Sequence, residues 1–374
     1  MKFAIFTHVT HNHQENKFWA YAPYVYEMNI WLKFVNEVTI VAPISLSQKT
    51  EIDAFYIHEK LNFKAVNQIY FLTLKTILKS IIYLPKILFT IFQEMQKADH
   101  IHLRCPGNIG LLACFVQILF PKKIKTAKYA GNWDPNSKQP ISYGLQKWIL
   151  SNTFLTKNMQ VLVYGNWGNQ SKNIKPFFTA TYSEAEKKFL EQKKANEIIN
   201  FLFVGTLNSG KRPLYAIQIV EKLLKQNQNI SLDIYGDGIL KTELQSYLKT
   251  QNLEKYIHLK GNQKKEVLKA AYINSHFIIL PSKSEGWPKA IAEGMFWGCV
   301  PVATNVSCVK NMLDNEKRGL ILSLDINRDI EKINYLIENI NVFNEKSNLS
   351  SNWSRSYTTD FFESEIKKLL NPIN

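Results

Sequence analysis

Short apolar runs of strand character alternate with longer helical patterns along the whole chain, and this alternation constrains the fold more than any other feature. FAIFTHV (3–9), EVTIVAP (37–43), HIHLR (100–104), KIKTAKYA (123–130) and MQVLVYG (159–165) read as strands, with helical patterns such as YVYEMNIWLKFV (24–35) and NIGLLACFVQILF (108–120) between them. The alternation resumes at INFLFVG (199–205), ISLDIYG (230–236), YIHLKG (256–261), HFIILPS (276–282), VPVAT (300–304) and GLILS (319–323). Parallel strands need long crossovers, and helices supply them, so the pattern predicts an α/β chain with two doubly wound parallel sheets. At roughly 100–200 residues per domain, the 374 residues suffice for two. The expected domains are 1–180 and 181–350, with the polar stretch 179–197 as linker and a closing helix over 352–370 packed back on the first domain. In such folds ligands sit beyond the C-terminal ends of the strands, so the loops after strands are where function is sought.

Composition narrows the class. Charged residues are 21% and hydrophobic residues 45%, which excludes a disordered chain. The four cysteines (Cys105, Cys114, Cys299, Cys308) form no CxxC pair and are too few for a disulfide scaffold. MKFAIFTHVTHNH turns polar too early for a signal-peptide core, and no uncharged apolar run reaches the roughly 18 residues of a span. A reducing, cytoplasmic compartment is expected. The net charge of +15 is uneven, with +11 on residues 1–175 and +4 on the remainder. A basic first half predicts an anionic partner: nucleic acid, membrane or phosphorylated ligand.

The segment LPSKSEGWPKAIAEGMFWGCVPVAT (280–304) carries the most chemistry. A strand ends at Leu280, a loop follows, and a helix is expected near Pro288, a residue that suits a first helical turn. Backbone N–H groups over Gly286, Trp287, Pro288 and Lys289 (286–290), with the helix dipole, would form an anion site apt for a diphosphate. Glu285 and Glu293 stand eight residues apart. A carboxylate accepts paired hydrogen bonds, so Glu293 suits a ribose diol and Glu285 a sugar hydroxyl nearer the reaction. The bland alternative is a solvated helix residue and a surface loop residue.

At these residues the chain resembles the retaining glycosyltransferases of family 4 (glycosyl transferases group 1), whose signature joins PS-x-x-E-G to an E-x7-E pair and a G-x-P-V strand. FVGTLNSGKRPLYAIQIV (203–220) is similar to the same family's G-R-L-x-x-x-K block: Gly205, Leu207 and Lys211 match, while Thr206 stands at the arginine position and Arg212 is an adjacent substitute. LDIYGDGILKTEL (232–244) matches a third block. The resemblance implies a GT-B fold, two Rossmann-like domains facing a cleft. It implies transfer of a sugar from a UDP- or GDP-sugar to a glycan or lipid-linked hydroxyl acceptor, with retention, in polysaccharide or glycolipid biosynthesis. Lys211 and Glu285 would then be catalytic, and Gly205, Thr206, Lys211, Arg212, Gly286, Trp287, Pro288, Lys289 and Glu293 would bind the donor. No cofactor and no catalytic metal is expected.

The first half specifies its site less. HVTHNHQENKFWAYAP (8–23) replaces the family's Gly-Gly loop, and His8, His11 and His13 lack the acidic or cysteine partners of a metal site. His8 and His11 are acceptor-side candidates by hydrogen bonding. Arg104, in RCPGNIG (104–110), suits an acceptor phosphate or an ordinary salt bridge. In AGNWDP (130–135), Asn132 and Asp134 stand near a position where the family often has histidine; an Asx turn before Pro135 is the alternative. The stretch 71–98 is apolar and punctuated by Lys75, Lys79 and Lys86, with Pro85 expected to break its helix. It suits an anionic membrane surface or a core helix, which adds peripheral membrane association to the expectations. Two rivals follow from the same residues: a catalytically silent nucleotide-sugar binder, from Thr206, and a basic nucleic-acid binder, for which no reading motif exists.

Overall fold

The structure, a computed structural model, describes residues 1–69, 73–194, 198–226 and 229–370, with the backbone alone described at Leu74 and Lys75. It divides into two compact units. One runs from Met1 to Phe178 and takes in the chain from Phe362 onward; the other is Thr179–Phe361.

The first unit opens with β1 (Lys2–Phe6), β2 (His11–Gln14), β3 (Lys17–Tyr21), α1 (Ala22–Leu32), β4 (Glu37–Ser45), β5 (Asp53–Phe55) and β6 (Leu61–Val66). It continues through α2 (Leu74–Lys97), β7 (His100–Cys105), α3 (Asn108–Val116), β8 (Ile124–Tyr129), α4 (Ile141–Ser151), β9 (Met159–Tyr164) and β10 (Ile174–Phe177). Strands β10-β9-β8-β7-β1-β4 run parallel in that order, and β6 and β2 both pair in parallel with β4. The chain leaves β1 toward β4 and later returns to β7 on β1's other side, so the strand order reverses between β1 and β7. Helices α2, α3 and α4 cover one face: Ile87, Ile91 and Met95, Ile109 and Ala113, and Ile149 and Leu150 are buried in one cluster with Phe6, Leu103, Ala127 and Val161 of the strands. Each such large side chain contributes about 1.5–3 kcal/mol by leaving water.

This sheet is mixed, where the alternation predicted a parallel one. β2 and β3 form an antiparallel hairpin, and β5 adds antiparallel to β3. The cause is local: Glu15 and Asn16 both take left-handed backbone (φ 53° and 55°), the geometry of a two-residue turn matched to strand twist. Segment 8–23, expected as a loop, therefore carries sheet. Pro85 also fails to break α2, which continues through it. Pro85 is exposed, so the Ile81 carbonyl that loses its donor sits on the solvent side, where water replaces the bond.

The second unit contains β11 (Ile199–Val204), α5 (Pro213–Lys225), β12 (Ile230–Tyr235), α6 (Lys241–Thr250), β13 (Ile257–Gly261), α7 (Lys265–Asn274) and β14 (Phe277–Leu280). After these come α8 (Lys289–Phe296), β15 (Val300–Thr304), α9 (Val309–Met312), β16 (Leu320–Leu322), α10 (Ile326–Glu338) and α11 (Ile340–Ser354); α12 (Thr359–Leu370) follows and is divided at Phe362 between the two units. Among the described residues its sheet is wholly parallel, in the order β13-β12-β11-β14-β15-β16, and the order reverses between β11 and β14. In open α/β sheets that reversal is where strand-end loops diverge and leave a crevice.

Two boundary segments differ from expectation. Residues 179–194 are not a free linker: Tyr182 is buried against Phe296 and Trp297, and Glu186 pairs with Lys269 at 2.8 Å. The closing helix is interrupted between Ser354 and Thr359, where the Thr358 hydroxyl donates to Glu184 and accepts from the Phe361 N–H. Only the part from Phe362 belongs with the first unit, where Phe362 packs on Phe177 and Phe178.

Candidate functional site

The loops after β11 and β14 leave the sheet at its switch point and are tied together. The Lys283 N–H donates to the Gly210 carbonyl at 2.7 Å, and the Arg212 guanidinium to the Pro281 carbonyl at 3.3 Å. Asn208 accepts from the N–H groups of Gly210 and Lys211 through its side-chain oxygen, an Asx turn that fixes the start of the Lys211 side chain. Lys211 Nζ reaches Glu285 Oε1 at 2.5 Å, across 74 residues of sequence. Glu285 is 8% exposed and Lys211 27%, so this pair lies at the rim of the unit rather than in open solvent. Arg212 caps α5 from a left-handed conformation (φ 50°), a strained state for a residue with a side chain, and Pro213 follows as the first helical residue.

The β14–α8 loop is held from behind. Thr304 donates its hydroxyl to the Ser282 carbonyl, and Ser307 to the Gly286 carbonyl at 2.8 Å. α8 then starts at Lys289, with Pro288 before it, so the first N–H groups of that helix and its positive dipole end follow four residues after Glu285, the partner of Lys211. About one turn into α8, Glu293 is clamped at both oxygens. Oε1 accepts from the Thr181 hydroxyl at 2.7 Å and Oε2 from the Tyr272 hydroxyl at 2.9 Å. Tyr272 is fully buried, and burial first, then the Glu293 charge, pushes its phenol well up, so it stays a donor. Glu293, Trp287, Lys289, Thr181, Tyr182 and Tyr357 line one small pocket of this unit.

The glycines of the neighbouring β12 loop serve packing. A Cβ on Gly236 (φ +140°) would stand 2.0 Å from the Gly205 carbonyl oxygen, and one on Gly238 2.5 Å from that of Leu207. The loops after β11 and β12 thus meet backbone to backbone. Thr206, in the family's arginine position, is exposed, and Gly205 has ordinary van der Waals room.

In the first unit the switch point between β1 and β7 brings His8 and Gly107 together: the His8 ring lies so close that a Cβ on Gly107 would be 2.2 Å from Nδ1. One edge of that ring is exposed; desolvation of the packed side, then the Arg104 charge, lower its pKa. The other acceptor-side candidates are engaged by groups of their own unit. His11 is fully buried, its Nδ1 against the Val9 carbonyl and its Nε2 against the Tyr56 hydroxyl; burial lowers its pKa to about 4, and it has no edge to offer a ligand. Arg104 spends its charge on Glu27 at 3.0 Å and lies over Tyr24, with 11% of its side chain exposed. Asn132 and Asp134 accept from the N–H groups of Asp134 and Asn136, the Asx-turn alternative. Among the described residues no group of three or more His, Cys, Asp or Glu could hold a metal.

Sequence reasoning missed Asn208, Thr181, Tyr272 and Glu27. Asn-Ser-Gly at 208–210 is a legible turn signal; the others act from 112, 21 and 77 residues away and leave no local mark.

Residues 184–353 match the family model of glycosyl transferases group 1. The fold is of the GT-B class: Anabaena HepE in complex with UDP and glucose superposes with a TM-score of 0.70 at 10% identity, covering 100% of both chains. Sucrose-phosphate synthase from Thermosynechococcus elongatus does so with 0.67 at 15% identity, covering 99% of this chain and 98% of its own. By sequence, a UDP-Gal:alpha-D-GlcNAc-diphosphoundecaprenol alpha-1,3-galactosyltransferase of Escherichia coli is 32% identical over 35% of this chain and 34% of its own. An uncharacterized glycosyltransferase of Haemophilus influenzae is 26% identical over 51% of this chain and 60% of its own. The chain thus spans between one third and three fifths of the length of these curated relatives.

Proposed function

We propose that this chain is a glycosyltransferase that moves a sugar from a nucleotide-sugar, a UDP- or GDP-sugar, to a hydroxyl acceptor with retention of configuration, in the manner of family 4. The observation that carries the reading is the Lys211–Glu285 pair, Glu285 standing four residues before the start of α8, with Glu293 held rigid about one turn into that helix. A carboxylate has more lone-pair sites than one partner uses, so Glu293 keeps capacity for a ribose diol and Glu285 for a sugar hydroxyl. As the glycosidic C–O bond breaks, negative charge grows on the departing diphosphate. Lys211, Arg212 and the N–H groups of α8 oppose that charge without reorganising, and this electrostatic term accelerates the step. The acceptor hydroxyl attacks the same face of the sugar, and the leaving diphosphate oxygen takes its proton. These roles need no metal or cofactor, so activity should survive EDTA.

The acceptor we propose is a glycan on a lipid diphosphate. The Escherichia coli relative is named for such an acceptor, and the first unit is strongly basic. The site of action is then the cytoplasmic face of a membrane. A second reading, a silent donor binder, is favoured by Thr206 and by the pairing of Lys211 with Glu285.

A thermal-shift panel of UDP-, GDP- and ADP-sugars tests the reading. A bound donor at one hundred times its Kd adds about 2.7 kcal/mol of stability. No shift with any of them overturns it; a shift without donor turnover or hydrolysis selects the silent binder.

A further inference from the structure

The outer faces of α2 and α4 are apolar, although their inner faces already fill the core. In α2, Ile87, Ile91 and Met95 face the sheet, while Leu78 (62% exposed), Ile82 (73%) and Phe89 (60%) recur on the other side at spacings of four and seven. In α4, Ile149 and Leu150 point inward, while Ile141 (91%) and Trp148 (60%) point out seven residues apart. On α3 itself Phe115 is 44% exposed, and Leu119, just after that helix, is 65% exposed. One apolar residue on a surface needs no explanation, but repeated stripes on α2 and α4, with exposed apolar side chains on and just after α3, do.

The exposed charge of this stretch of chain is mostly basic, although Lys125 and Lys128 are buried and Arg104 is paired with Glu27. Between Lys60 and Ser183 the sequence has 16 Lys and Arg against three acids, Glu94, Asp99 and Asp134. Glu94 is buried and paired with Lys97, and Asp99 accepts from the Lys2 N–H. Lys79 and Lys86 are exposed on α2, and Lys138 is exposed just before α4; the Lys75 side chain lies outside the described residues. Residues 76–97 have the length and mean hydropathy (1.3) of a span, yet Ile87, Ile91 and Met95 hold the helix on the sheet, so it lies along a surface instead of crossing it.

We infer that the outer face of α2, α3 and α4 docks this protein on an anionic lipid bilayer, with Ile82, Phe89, Ile141 and Trp148 in the acyl boundary and Lys79 and Lys86 among the headgroups. A second copy is disfavoured, because an isologous contact would set this basic face against itself. Nucleic acid is disfavoured, because phosphates give the aliphatic stripes nothing to bury against. The inference deepens the lipid-acceptor reading, but its test contains no donor or acceptor, so docking and transfer fail separately.

All four cysteines are free and buried, so one introduced surface cysteine takes an environment-sensitive dye selectively. The full-length chain is labelled at Ile141→Cys or at Tyr26→Cys, the latter 56% exposed on α1, whose β1-to-β4 crossover packs it on the opposite sheet face. Vesicles are phosphatidylcholine alone or mixed with phosphatidylglycerol. The expected result is dye brightening at 141 alone, with mixed vesicles alone, together with co-sedimentation that weakens with salt. Lys79→Glu with Lys86→Glu lowers the partition coefficient about tenfold or more. Ile82→Ser with Trp148→Ser lowers it too, with unchanged circular dichroism, since both side chains are outside the core. Negligible sedimentation with both vesicle types, equal brightening at both positions, or brightening that follows protein concentration without lipid overturns the inference; the last outcome assigns the face to a second copy.

Discussion

Removing the Glu293 carboxylate separates a ligand group from a structural one. Glu293→Ala deletes the acceptor of two hydrogen bonds, at 2.7 Å from Thr181 and 2.9 Å from Tyr272, and leaves the buried Tyr272 hydroxyl without that acceptor. A buried group so stranded costs about 1–3 kcal/mol, which thermal or urea unfolding will register. If the carboxylate also holds the ribose diol, a charged hydrogen bond worth about 1.5–3 kcal/mol is lost from donor binding, a rise in Kd of about 10- to 100-fold. Tyr272→Phe supplies the control. It breaks one clamp bond and lowers stability by a similar amount, while the carboxylate remains for the donor. Titration calorimetry with the donor chosen by the thermal-shift panel measures both variants below their melting temperatures. Unchanged donor affinity in folded Glu293→Ala would refute the diol assignment and leave Glu293 as a brace between α7 and α8.

Three further outcomes follow from the geometry. Lys211→Ala should lower kcat about 100-fold with a smaller change in donor Kd, since diphosphate charge grows only in the transition state; a raised KM at unchanged kcat refutes the catalytic role. Gly236→Ala should destabilise the second unit by about 1–3 kcal/mol or more, because its Cβ meets the Gly205 carbonyl oxygen at 2.0 Å and φ is +140°; an unchanged melting temperature refutes that packing. His11 is held neutral, with its pKa lowered from 6.5 to about 4, so the unfolded chain takes up a proton as pH falls through 6.5 while the native one does not. Stability present above pH 6.5 is therefore lost toward pH 4, by up to about 1.4 kcal/mol per pH unit for this residue, and His11→Gln should flatten that dependence in urea unfolding at pH 7.5, 6 and 5.

The alternation of elements is legible along the chain, and with it all six strands of the second unit, five strands of the first and the strand-end loops where a site is sought. Lys211, Glu285 and the start of α8 were legible as candidates too, because a tight loop and a helix start are built from neighbouring residues. The β2–β3 hairpin was equally local, written in Glu15-Asn16. Tertiary structure decided what each charged or polar group does once those loops converge. It joined Lys211 to Glu285 across 74 residues and Arg104 to Glu27 across 77, and buried His11 against Tyr56. It also left α2 and α4 apolar on both faces, where a sequence periodicity says only that a side is apolar and never which side meets the sheet. Propensity and pattern act over a few residues, so they specify elements and turns. A side chain's partner is set by strand order and helix placement, which bring together positions that share no local signal.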